Sequence, residues 1–281
     1  MSQISQHFPS FEVLSETSHS ELAVVPEIDF SAFAHLTQTS ITVSEFAGLS
    51  CSFPLFFIKD PQFGSFQSIA LLSLDSAESE DEATETPETP PANPYFCHGD
   101  GRYIASLPTS LMLHPFSLVH DPADEAKLTM GINANSQLIQ PEGLPLFNSD
   151  GGVTEYLQTV EQNLSQYFND QLLTQNVTDQ LVSLNLLQAF DVQVSYTNSN
   201  TNNDEQVTTT TLKGLYNINE EQLMQLGDSD KLALLNNGVL AAIYAMLASI
   251  SQLNRLIQLH GLQNNSDDQP VISGISMRPA E

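Results

Sequence analysis

The chain has 281 residues and a formal net charge of −27, from 7 Lys plus Arg against 34 Asp plus Glu. Charged residues total only 15%, so the imbalance reflects missing bases rather than a coat of carboxylates, and Gln, Asn, Ser and Thr wet the surface instead. The bases Lys59, Arg102, Lys127, Lys213, Lys231, Arg255 and Arg278 never cluster, which excludes the basic footprint of nucleic-acid or anionic-membrane binding and leaves a protein partner as the one that charge allows.

Residues 1–29 mix acidic, Ser and Pro residues, and the whole of 1–39 is expected to be a flexible arm. MSQISQHFPSFEVLSE carries neither a basic region nor an apolar run, so no secretory signal is expected and the cytoplasm is the default location. From Ser40 the pattern sharpens. Ile41, Val43 and Phe46 lead into FPLFFI (53–58), a continuous apolar run of the kind a buried strand shows. Asp60-Pro61 and Gly64 make a turn, and FQSIALLSL (66–74) is a second strand, so 53–74 is a predicted hairpin. The stretch 75–94 is acidic, rich in Thr and Pro, and nearly without large apolar side chains. It cannot bury enough surface to offset the entropy of ordering and is expected to be a disordered loop inserted between strands.

Loops and short strands are predicted over 102–147, with strands at 111–119, 127–132 and 137–139 and a turn at 148–152. Val153, Tyr156, Leu157, Val160, Leu164, Tyr167 and Phe168 then recur with a 3.6-residue period, predicting an amphipathic helix over 154–173. Val177, Leu181, Leu184 and Leu187 mark a second helix. Period two takes over at Phe190, Val192, Val194 and Tyr196 and, more weakly, over 207–215, giving a hairpin joined by the polar run 197–205. Asn219 can cap a short helix and Asp230 a long closing one, in which Leu232, Leu235, Val239, Met246, Ile250, Leu253 and Ile257 recur at helical spacing and Asn236-Asn237-Gly238 can break the first turns. Its longest apolar stretch, 239–250, is short for a membrane span, which needs roughly 20 residues. The tail, 261–281, is expected to be flexible. The pattern as a whole predicts an α+β fold: an antiparallel-rich mixed sheet with C-terminal helices, in a single domain over 40–260.

Chemistry-bearing groups are few. Cys51 and Cys97 form no CxxC pair and are expected to be buried free thiols. His98-Gly99-Asp100 with His114 has the HxD…H form that can hold Fe(II) on one face, with His120 as a further histidine; the competing reading makes Asp100 a turn residue and the histidines surface groups. Arg102 stands out where bases are rare. With Asp100 and Tyr103 it forms a candidate ligand-binding set, its guanidinium serving either a substrate carboxylate or an internal acid. Neither a GxSxG elbow nor a phosphate-cradling glycine loop is present. The stripe on the closing helix reads as core or as a homodimer seam.

Four segments together resemble the bacterial SapC family: FPLFFIKD (53–60), GDGRYIASLPTSLMLHPF (99–116), EGLPLFNSDGGVTEYL (142–157), and GLYNINEEQLMQL (214–226) with the apolar helix that follows. Tyr103 stands where the family usually has Trp, and His114 where it usually has an aromatic. The family takes its name from a surface-layer gene cluster, and its members often lie beside halogenase-like and cupin-like genes. The resemblance implies a shared pathway with such genes; because no catalytic constellation in the sequence outweighs its structural reading, the expected function is a non-catalytic intracellular accessory or binding protein of that pathway, without a cofactor and working with a protein partner. The alternative is a metal-dependent enzyme or enzyme subunit built around residues 98–120.

Overall fold

The structure is a computed structural model and describes residues 11–34, 36–61, 63–74, 93–96, 104–197, 207–263 and 271–280. The predicted hairpin over 53–74 lies at its centre. Strands β4 (Leu55–Lys59) and β5 (Phe66–Leu71) pair antiparallel, with Leu55 opposite Ala70 and Lys59 opposite Phe66. Their turn is local chemistry: the Asp60 carboxylate accepts from the Phe63 N–H at 2.8 Å, and Gly64 adopts φ 71°. Leu55, Phe56 and Phe57 are all buried, so the run is apolar without alternation because both faces of the strand are covered.

This hairpin belongs to a six-stranded sheet in the order β11–β9–β10–β4–β5–β3, with β3 at Gln38–Ser40, β9 at Leu187–Thr197, β10 at Val207–Ile218 and β11 at Val271–Pro279. Every pairing in it is antiparallel. The β9–β10 hairpin is the one that the period-two pattern predicts, and β10 is bulged between Leu212 and Leu215, where Gly214 takes φ 78°. A separate three-stranded sheet has the order β1 (Glu12–Val13), β7 (Asp124–Ile132), β6 (Phe116–Asp121), and β2 (Ala23–Val24) pairs with β8 (Leu144–Pro145). The expected strand over 111–119 begins instead as the short helix α3 (Thr109–Met112), and 137–139 supplies only the bridge from Ile139 to Val24.

The expected arm is folded where it is described. Strands β1, β2 and β3 are tied to β7, β8 and β5, and the short helix α1 (Glu16–His19) lies between β1 and β2. Val24 and Phe33 are buried, and these anchors offset the polar composition around them. The tail likewise returns as β11, pairing with β9 from Val271 opposite Thr197 to Pro279 opposite Phe190. Of the acidic stretch 75–94, residues 75–92 lie outside the described residues. Asn93 is buried, and its side-chain carbonyl accepts from the Tyr95 N–H at 2.9 Å.

Two predicted helices are one. Helix α4 runs Glu155–Ser183, 29 residues, with the Thr154 hydroxyl accepting from the Leu157 N–H at its start. The sequence between the two predicted pieces holds neither Gly nor Pro, so the hydrogen-bond ladder continues through it. The closing helix is divided instead. After α2 (Phe46–Leu49) near the first hairpin, the C-terminal helices are α5 (Glu220–Gln225), α6 (Asp228–Asn236), α7 (Val239–Ser249) and α8 (Gln252–Gln263). Asn219 caps α5 as its sequence suggests, accepting from the Gln222 N–H at 3.0 Å. Gly227, not Asp230, caps α6; Asp230 sits in the first turn, where the helix dipole favours an anion. Gly238, at φ 80°, ends α6 as the Asn-Asn-Gly signal implies.

The span Val239–Leu262, 24 residues, is by length and composition apolar enough to cross a membrane, which the shorter stretch 239–250 is not. Val239, Ile243, Met246, Leu253, Leu256 and Leu259 are buried in the core that covers the six-stranded sheet, while Tyr244 and Leu262 on the same span are exposed. Of the helical stripe read as core or dimer seam, Val239, Met246 and Leu253 are buried within the chain, whereas Leu232 and Leu235 are exposed. A second core, built from Phe116, Ile132, Leu157, Val160 and Leu164, joins the three-stranded sheet to the first half of α4.

Candidate functional site

His98, Asp100, Arg102 and Tyr103 fall within 97–103, outside the described residues. Of the HxD…H set, the structure places His114. Its Nε2 lies 3.0 Å from the Ser136 hydroxyl, and its ring meets Phe33 edge-on at 5.4 Å. Burial lowers its pKa below the usual value; the charge of Asp29 opposes this more weakly. His120 is exposed near the end of β6. Asp121 is a turn residue, accepting from the Ala123 N–H at 2.8 Å. Among the described residues, no group of three or more His, Cys, Asp and Glu side chains is arranged to hold a metal. Cys51 is exposed rather than buried, at the end of α2; Cys97 lies outside the described residues.

His114 borders a cavity of about 680 Å³ where the two cores meet. One wall is the outer strand of the six-stranded sheet, through Gln38, Thr39 and Ser40, with Gln67 and Ile69 behind it on β5. Facing it is β6, the outer strand of the other sheet, through Phe116, Ser117 and Leu118. Helix α3 contributes Ser110 and Leu111, and α4 contributes Leu164, Tyr167 and Gln171, which the helical period stacks on one face. Neither sheet closes the space alone: each ends in an outer strand there, and the two helices bridge the gap.

The polar groups of this wall are linked. Gln67 donates to the Ser40 hydroxyl at 2.6 Å; Ser110 donates to the Ser40 carbonyl at 2.9 Å and lies 3.0 Å from the Thr39 hydroxyl. Burial is the main cause that pushes Tyr167 up to about 12, with the charge of Glu45 adding to it and hydrogen bonds to Gln171 and Ser110 opposing it, so the phenol stays neutral. Glu45 itself is held behind the wall. Its carboxylate accepts from the Thr42 N–H and hydroxyl, both at 2.8 Å, and from the Thr109 N–H at 2.6 Å. It thereby caps the turn after β3 and the start of α3 together.

Among the described residues, no Asp, Glu, Lys or Arg lines the cavity. In the Ser136–His114 contact only His114 belongs to the cavity wall. The Ser136 hydroxyl also accepts from the Leu138 N–H at 3.2 Å, closing a turn. What the arrangement can do is bind: an apolar space with a few convergent neutral polar groups is the usual form of a small-molecule site. Sequence reasoning missed Ser40, Gln67, Ser110, Tyr167 and Gln171. The only signal was a tyrosine hydroxyl inside an apolar helical stripe, where a buried phenol needs a partner.

Fold and cavity together describe an α+β protein with a pocket between two sheets whose described wall residues include no Asp, Glu, Lys or Arg. The SapC family model matches residues 14–256, and the chain belongs to the SapC family. Every wall residue except Phe11 lies inside the matched span. No curated protein and no solved structure matches the chain.

Proposed function

We propose that this chain works by binding and not by catalysis, as a cytoplasmic accessory protein of a SapC-type pathway that acts beside that pathway's enzymes or cell-surface components. The observation that carries the reading is the cavity: about 680 Å³, with neutral polar groups converging on it and, among the described residues, no nucleophile–base pair and no charge in its wall. Catalysis of acyl, phosphoryl or proton transfer needs such a pair or a charge aimed at the reacting atoms. A protein partner completes the proposal. The outward sides of α6 and α7, where Leu232, Leu235 and Tyr244 are more than half exposed, support it and offer the surface for self-association too.

Native mass spectrometry of the protein purified without chelator tests the reading. The expected spectrum shows a small organic adduct at one copy per chain, lost on denaturation, and no metal adduct. A stoichiometric metal that is lost in mild acid and absent from His98→Ala would overturn it in favour of the iron-type site. The same spectra give the number of chains per particle, which tests self-association.

A further inference from the structure

We infer that the cavity between the two sheets takes a neutral, elongated, mainly apolar molecule that ends in a single hydroxyl, carbonyl or amide group. This rests on the binding reading above and specifies its ligand. The argument starts from charge. An ionised carboxylate, phosphate or ammonium drawn inside this space, past its exposed rim, would lose its water and meet no counter-ion among the described wall residues, a cost that buried ions avoid only by pairing. The groups that are present fit a neutral end group instead. Ser40, Ser110 and Tyr167 carry hydroxyls, and Gln67 and Gln171 carry carboxamides; each both donates and accepts.

The placement of these groups fixes the direction of the ligand. Ser40, Gln67, Tyr167 and Gln171 also line a second, smaller cavity of about 270 Å³, whose other walls include Asp60, Ser68, Thr174, Gln175 and Thr178. The four side chains are therefore a partition, with an apolar space on one side and a polar cleft on the other. Gln67 and Gln171 are exposed, so this is also the wet side. On the far side lie Phe33, Leu113, Phe116 and Leu164, all buried. The polar end of the ligand sits at the partition, and its apolar body runs toward the second core.

A matched series tests this: 1-decanol, decanoate and decylammonium at pH 8, each titrated into the full-length protein by calorimetry in moderate salt. Decanol is expected to bind once per chain and at least tenfold more tightly than either ion. Leu164→Trp, which fills the apolar end, is expected to abolish decanol binding. Because that change can also disturb the core, Tyr167→Phe is measured beside it. It removes one hydroxyl from the partition and is expected to weaken decanol severalfold without altering the far-ultraviolet circular dichroism. Decanoate or decylammonium binding as tightly as decanol would overturn the neutral-ligand inference and leave the binding reading standing. Saturable binding of none of the three would overturn both.

Discussion

The backbone N–H of Leu55 donates to the hydroxyl of Ser249 at 2.9 Å, and both residues are fully buried. Leu55 opens β4, whose pairing with β10 is formed only further along, at Phe57 and Ile58. Its carbonyl is taken by the side-chain amide of Asn217 at 3.1 Å. Side chains from α7 and β10 thus complete the main chain where the ladder stops, which ties the apolar helix to the central hairpin. Ser249→Ala is expected to leave the Leu55 N–H unsatisfied in the core and to cost about 1–3 kcal/mol. Urea unfolding should show a lower midpoint at an unchanged slope. An unchanged midpoint would mean that the bond adds nothing to stability.

Gly143 holds the N-terminal segment to the rest of the fold. A Cβ there would lie 2.5 Å from the carbonyl carbon of Val24 and 2.7 Å from its nitrogen and oxygen, so no side chain fits without moving β2. Gly143→Ala is expected to cost about 1–3 kcal/mol by overpacking against rigid backbone. The loss should be local. A glutamate-specific protease should cut faster at Glu21 and Glu27, which flank β2. Equal cutting rates in the two proteins would contradict the contact.

These two contacts also show what the sequence makes legible. The β4–β5 and β9–β10 hairpins, the first half of α4 and the Asn219 cap all follow from neighbours within a few residues, so period and turn chemistry find them. Strands β1, β2 and β3 have two or three residues each, too few for a period, and depend on partners elsewhere in the chain. Strand β11 reads as a polar tail because Ser and Gly interrupt it; it exists because β9 offers an edge. The cavity was illegible for the same reason. Ser40, Gln67, Ser110 and Tyr167 come from four segments, and each looks ordinary where it stands. Histidine spacing drew attention to 98–120, and of that set His114 does border the cavity, as a neutral wall group beside Phe33 and Ser136.

The environment of His114 gives the protein a sensitivity to mild acid. Burial depresses its pKa below the ordinary 6.5, so the unfolded chain takes up the proton first. A group that binds protons more readily when unfolded makes stability rise with pH, and stability is therefore lost as pH falls below 6.5. His114→Phe keeps a ring against Phe33 and removes the titration. The parent should lose stability more steeply than the variant between about pH 7 and pH 5.5, by urea midpoints at each pH. Parallel curves would mean that water reaches the imidazole.

Tyr167 works in the opposite direction at the other end of the scale. Its pKa is pushed up from the ordinary 10.0 to about 12, first by burial and then by the charge of Glu45. The folded chain therefore holds this proton where the unfolded chain has released it. The stability linked to the group is complete below 10.0 and is lost as pH rises toward 12. The chain has 7 tyrosines, so the phenolate absorbance of the parent minus that of Tyr167→Phe isolates this one. The difference should titrate well above the ordinary value, and 1-decanol should move it higher still, because an occupied cavity keeps water from the phenol. A difference curve centred at the ordinary value, unmoved by the alcohol, would mean that Tyr167 faces open water and that the partition does not seal the cavity.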